Sequence, residues 1–216
     1  MSRRRRASAT LALACGLALA AAAFADDPDF PDIGAVNEGR LVFLAKLPDK
    51  PVHHHQNRIR IEPSSLVTGW VELEQCHEHL DAVGNAQITF RDGFVRDLRI
   101  TEKSAIGDAW ISDASVQLRA VEHGARLCIA AQTRALKAVG NGYFNLANGP
   151  YMRKFLDGYY PMRVSLDIRY PNALLKLVDV SPPPQPGFAV SEEPGRVAID
   201  ARFEGELRTL LQFERR

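Results

Sequence analysis

An excess of charge of one sign and a rich supply of cysteine are both lacking in this chain of 216 residues, and each absence removes a class of protein. Lys and Arg number 27 against 26 Asp and Glu. Four of those bases, Arg3 to Arg6, sit in an N-terminal segment without acids, so the rest of the chain is mildly acidic. Phosphate binding needs a concentrated excess of Lys and Arg, which argues against nucleic acid as the main partner. Three cysteines are too few for a disulfide-dense miniature scaffold. Hydrophobic residues at 46% and charged residues at 25% exclude a disordered tail or a collagen-like fibre. The familiar catalytic signatures are also missing: there is no Gly-x-Ser-x-Gly elbow, no Walker loop, no Cys-x-x-Cys pair and no His-Glu-x-x-His. The expectation is a non-enzymatic protein, although a triad assembled from distant Ser, His and Asp leaves no local trace.

One long apolar run is present. Arg3–Arg6 form a basic region, Ala7 to Ala23 an Ala/Leu-rich one, and Ala23-Phe24-Ala25 offers small residues at −3 and −1 of a cleavage site. Residues 1–25 read as a signal peptide and residues 26–216 as a single domain. A variant reading has two small packed subdomains with a boundary near 140–160. Retention as an anchor, lipidation at Cys15 and a twin-arginine route are the alternatives for the leader. The expected location is periplasmic or secreted, with no membrane-spanning segment once the leader is removed. In such a compartment the two remaining cysteines, Cys76 and Cys128, read as one disulfide. Its 52-residue loop would stabilise the fold by about 4 kcal/mol in the chain-entropy model.

Period two dominates the rest. Met162, Val164, Leu166, Ile168 and Tyr170 alternate with polar residues, and so do Val197 to Phe203 and Leu207 to Phe213. A loop Glu204-Gly205-Glu206 would make the last two a hairpin with Phe203 opposite Leu207. A single strand bent at Gly205 keeps the same parity, and the hairpin is the preferred reading. Further strands are expected at 41–47, 58–61, 67–74, 86–90, 94–100, 116–121, 126–137 and 174–180, with Asp92-Gly93 as a hairpin turn. Residues 181–187, rich in proline, read as a crossover. About ten short strands without alternating helices predict an all-β antiparallel sandwich of Ig-like or Greek-key type. A long aromatic loop would carry one short helix near residues 151–156.

Two constellations could carry chemistry. Tyr143, Phe144, Tyr151, Phe155, Tyr159 and Tyr160 crowd into 143–160 with Arg153 and Lys154. Tyr143, Tyr151, Arg153, Tyr159 and Tyr160 are candidate contacts for a periplasmic protein or a small ligand, since tyrosine joins an apolar face to a polar tip. The alternative role of this segment is to plug one end of the sandwich. The second constellation is His53-His54-His55 with Cys76-His77-Glu78-His79. Residues two apart on a strand share a side, so His53/His55 and His77/His79 are candidate chelating pairs for copper or zinc. A turn at Glu62-Pro63-Ser64-Ser65 would place His53 opposite a residue between Glu74 and His77. A thiolate ligand at Cys76 would exclude the disulfide. In the non-metal reading no cofactor is required.

Overall fold

Residues 37 and 39–216 are described by a computed structural model; the leader expected at 1–25 lies outside the described residues. Alternation turns most of them into strand. In β11 (Met162–Arg169), Met162, Val164, Leu166 and Ile168 are at most 1% exposed while their neighbours face outward. One inner face is thus available for burial, at about 1.5–3 kcal/mol per large side chain. Surface ion pairs contribute about 0–1 kcal/mol each, so the core dominates stability.

The chain builds an all-β, sandwich-like fold around two main sheets. The larger holds β1 (Val42–Phe43), β2 (His54–Arg60), β3 (Val71–Leu80), β4 (Val83–Thr89), β5 (Val95–Ser112), β6 (Ser115–Thr133), β11, β13 (Phe188–Glu193) and β14 (Arg196–Glu204). Its path runs from β1 and β13, both on β14, through β11, β2 and β3 to β6, which β4 and β5 flank. The β2–β11 pair is parallel and the other pairs are antiparallel. The smaller sheet has the order β12 (Leu175–Ser181), β15 (Leu207–Arg215), β8 (Tyr143–Tyr151), β7 (Leu136–Gly140). Between them lies the main core, with Ile59, Leu166, Ile199 and Phe203 on one side and Leu146, Leu211 and Phe213 on the other. The proline-rich segment 181–187 crosses from β12 in the smaller sheet to β13 in the larger one.

Several expectations need correction. β14 and β15 do not pair as a hairpin. They lie in different sheets, and the chain turns the corner at Gly205. Both readings give the same parity, and the corner keeps Val197, Ile199, Phe203, Leu207, Leu211 and Phe213 on one buried face. Gly205 has φ +87°, and a Cβ there would stand 2.1 Å from the Arg40 carbonyl oxygen, so only glycine allows the two backbones to approach. Asp92-Gly93 is a turn, with the Phe94 N–H donating to the Arg91 carbonyl at 3.0 Å, yet the strands it joins lie on opposite edges of β6.

The long β5–β6 ribbon doubles over. Phe90 bonds Ala114 while Arg134 bonds Phe94, so the two ends of β6 come close together. The fold encloses a second core of Ile106, Val116, Leu118, Leu127 and Ile129. Residues 67–70 are not strand. Helix α1 (Ser65–Thr68) occupies the β2–β3 connection and ends at Gly69, and Val67 is 90% exposed. No helix forms at 151–156. The aromatic segment is strand β8 followed by a hairpin of β9 (Lys154–Phe155) and β10 (Gly158–Tyr159), because β8 finds partners in β7 and β15. The disulfide forms as expected, joining Cys76 of β3 to Cys128 directly opposite in β6.

Gly205→Ala should lower the free energy of unfolding in urea by more than about 2 kcal/mol. Gly93→Ala, at φ +71° with open space around it, should cost about 1 kcal/mol. Equal losses at both positions would contradict the tight corner.

Candidate functional site

β2 and β3 pair with His55 opposite His77 and Asn57 opposite Gln75. His54 pairs with Glu78, so the register lies beyond the range expected for His53, because the connection is longer than a tight turn. The displacement preserves parity, and the imidazoles still share a face. Along this inner face the residues change from apolar Ile59 and Leu73 to polar Asn57, Gln75, His55, His77 and His53.

These side chains satisfy one another. The Gln75 side-chain amide lies 2.7 Å from His77 Nε2, and His77 Nδ1 lies 3.0 Å from His53 Nε2. With an amide N–H donating to Nε2, His77 carries its proton on Nδ1 and donates it to His53. His55 Nε2 stands 2.9 Å from Asn57 Oδ1, and Asn57 Nδ2 donates to the Tyr151 hydroxyl at 2.9 Å. The Tyr151 ring meets His55 edge-on at 4.8 Å. Tyr151 belongs to β8, so the network ties the two main sheets together. His55 Nδ1 is left as an acceptor without a partner among the described residues, and the residue is half-buried and lines the cleft described below.

His79 does not join. The β3–β6 register shifts between His77 and Leu80, and His79, at φ +55°, faces solvent. The bulge cancels the alternation on which the His77/His79 pair depended. His54 points to the opposite face, bonding Ser165 Oγ at 2.8 Å. No cluster of three His, Cys, Asp or Glu side chains able to hold a metal ion occurs among the described residues.

The aromatic candidates separate. Tyr151 is buried in the network, whereas Tyr143 pairs with Glu214 at the far end of β8. Arg153 is engaged by Asp81 through two hydrogen bonds of 2.8 and 2.6 Å and by the Pro161 carbonyl. Tyr159 lies in the small hairpin beside Lys154, and the Tyr160 hydroxyl donates to Asp157. Asn57 and Gln75 escaped the sequence reading. They continue the inward parity of the histidines, and an amide at such a position was the available signal.

The network forms part of the wall of a cleft of about 1100 Å³ between the inner face of β2–β3 and β8, closed at the side by β4 and α1. Tyr151 lines it; Tyr143, Arg153, Tyr159 and Tyr160 do not. Burial lowers His53 to about 4, with Asp81 opposing and Arg153 assisting. Burial lowers His55 to about 3, aided by His53 and opposed by the Asn57 hydrogen bond. His77 is held well below its ordinary value by burial and then by the other two rings. All three are neutral at pH 7.

No family model matches the chain, and no curated protein matches it. Among solved structures it is similar to a variant of an M1 zinc metallopeptidase from Deinococcus radiodurans bound to a Tyr-Ser-Ala substrate. That match has 11% identity and a TM-score of 0.42, covering 74% of this chain and 41% of the other. It is also similar to a two-domain M1 zinc metallopeptidase variant bound to tryptophan, at 11% identity and a TM-score of 0.39, covering 83% and 43%. The chain therefore spans less than half of these proteins, and likeness at this level carries no functional argument.

The depressed values fix a pH dependence. The unfolded chain takes up imidazole protons near pH 6.5 and the folded chain only near 4 or below, so stability is complete above pH 6.5 and falls with acidification. Each imidazole contributes a slope of about 1.4 kcal/mol per pH unit across that window. Asp81, lowered by its Arg153 hydrogen bonds, acts only below its ordinary carboxylate range, at more acid pH. Chemical denaturation at pH 7, 6 and 5 should show the loss, and His55→Gln should flatten it by about one proton. An unchanged acid limb in that variant would contradict buried neutral His55.

Proposed function

We propose that this is an exported, non-enzymatic protein that binds a small ligand in the cleft between its two main sheets. One observation carries the reading: a wall of neutral, mutually bonded polar side chains, with one unpartnered acceptor at His55 Nδ1, within a cleft otherwise lined mainly by apolar groups. Buried polar groups cost stability unless they are paired, and a ligand pocket is the usual setting for a few convergent polar groups on apolar walls. Of the five aromatic-segment candidates, Tyr151 is the one positioned to touch such a ligand, and Arg153 acts as a clamp. The Cys76–Cys128 bond supports an oxidising compartment, in keeping with the leader read at 1–25.

Histidine-selective NMR with a protein-free cell-envelope extract tests this. The His55 and His77 signals should move while the exposed His79 signal stays, and Ala147→Trp, which fills the cleft from β8, should abolish the response. Shifts confined to His79 or to Tyr159 and Tyr160 would overturn the cleft reading. Copper or zinc at near-stoichiometric level in untagged protein would replace it with metal handling.

A further inference from the structure

The cleft has a sign. Among its described lining residues there is no Asp or Glu, while the exposed Arg91, Arg134 and Lys137 supply three positive charges at its rim. None of the three forms an ion pair with a described residue. The Arg91 guanidinium instead lies over the Phe94 ring at 4.1 Å. They are gathered by the backbone: Phe94 donates to Arg91 at 3.0 Å, Arg134 to Phe94 at 3.0 Å, and Leu136 to Gly69 at 3.1 Å. The cations thus share the end of the cleft nearest α1. The histidine network lies at the other end, six residues along β3 from Val71 to His77, or roughly 20 Å at about 3.3 Å per residue. Ile59, Leu73, Phe90, Leu118 and Phe144 line the space between.

Resting on the cleft reading above, we infer that the ligand is an elongated monoanion. Its acidic head lies at Arg91, Arg134 and Lys137, its body is an acyl chain, and a hydroxyl or amide N–H near its far end donates to His55 Nδ1. The head belongs at the cationic end because the network at the other end is uncharged. A carboxylate entering an acid-free cleft meets no like charge, whereas a cationic amphiphile of the same length meets three. The apolar middle excludes sugars, whose hydroxyls would lose water without partners there.

Calorimetry with ω-hydroxydodecanoate, dodecanoate and dodecyltrimethylammonium, each below its aggregation range, tests the assignment on the purified protein. The hydroxy acid should bind one to one, several-fold tighter than dodecanoate and at least tenfold tighter than the cation. Arg91→Gln combined with Arg134→Gln and Lys137→Gln should weaken it tenfold or more with unchanged melting. His55→Phe should remove the advantage of the hydroxy acid over dodecanoate. Equal binding of anion and cation, or undiminished binding by the triple variant, would overturn the anionic assignment. Failure of all three probes while an extract still moves His55 and His77 would overturn it and leave the cleft standing. Failure of both would remove the cleft reading as well.

Discussion

An imidazole placed on the packed inner face of a sheet must stay neutral, and that constraint governs the site. His53, His55 and His77 face the same interior as Ile59 and Leu73, where a charge would lose its hydration. Each ring is therefore held by a neutral neighbour: His77 by Gln75, His53 by His77, and His55 by Asn57. Neutral partners fix tautomers, and fixed tautomers determine which nitrogen accepts. His55 Nδ1 is an acceptor because Nε2 is committed to Asn57.

The architecture supplies the space that such a wall needs. Strand order brings β2 and β3 side by side, while the corner at Gly205 carries the chain into a second sheet whose β8 stands across from them. Tyr151 then reaches over to Asn57. The doubled β5–β6 ribbon brings Phe90 and Leu118 to the cleft, and the bidentate Arg153–Asp81 contact ties the end of β8 to the β3–β4 turn. Cys76, on the reverse face of β3, anchors that strand to β6 without entering the cleft.

Much of this was legible in the residues. Period two identified the strands, including the fully buried alternation of β11, and it placed His53 and His55 on one side. The Cys76–Cys128 pairing followed from there being two cysteines left. What failed did so for physical reasons. Parity is blind to whether two strands pair or merely follow one another, so the Gly205 corner looked like a hairpin. A bulge resets alternation, and nothing local announced that His79 would adopt a positive φ. Tyr143 to Tyr160 lost its loop character once β7 and β15 claimed β8 as a partner. The cleft is a void between distant segments. Arg91 and Arg134 meet at Phe94, whose carbonyl accepts from the Arg134 N–H across 40 residues, which no local pattern encodes.

The site depends most on the protonation of the three inward imidazoles. Long-range nitrogen–proton correlation spectra of the protein at pH 6 read each ring directly. They should show His53, His55 and His77 neutral, with His77 carrying its proton on Nδ1 and His55 on Nε2. Imidazolium signals from His55 and His77 at that pH would contradict the buried neutral network and the acceptor it leaves open.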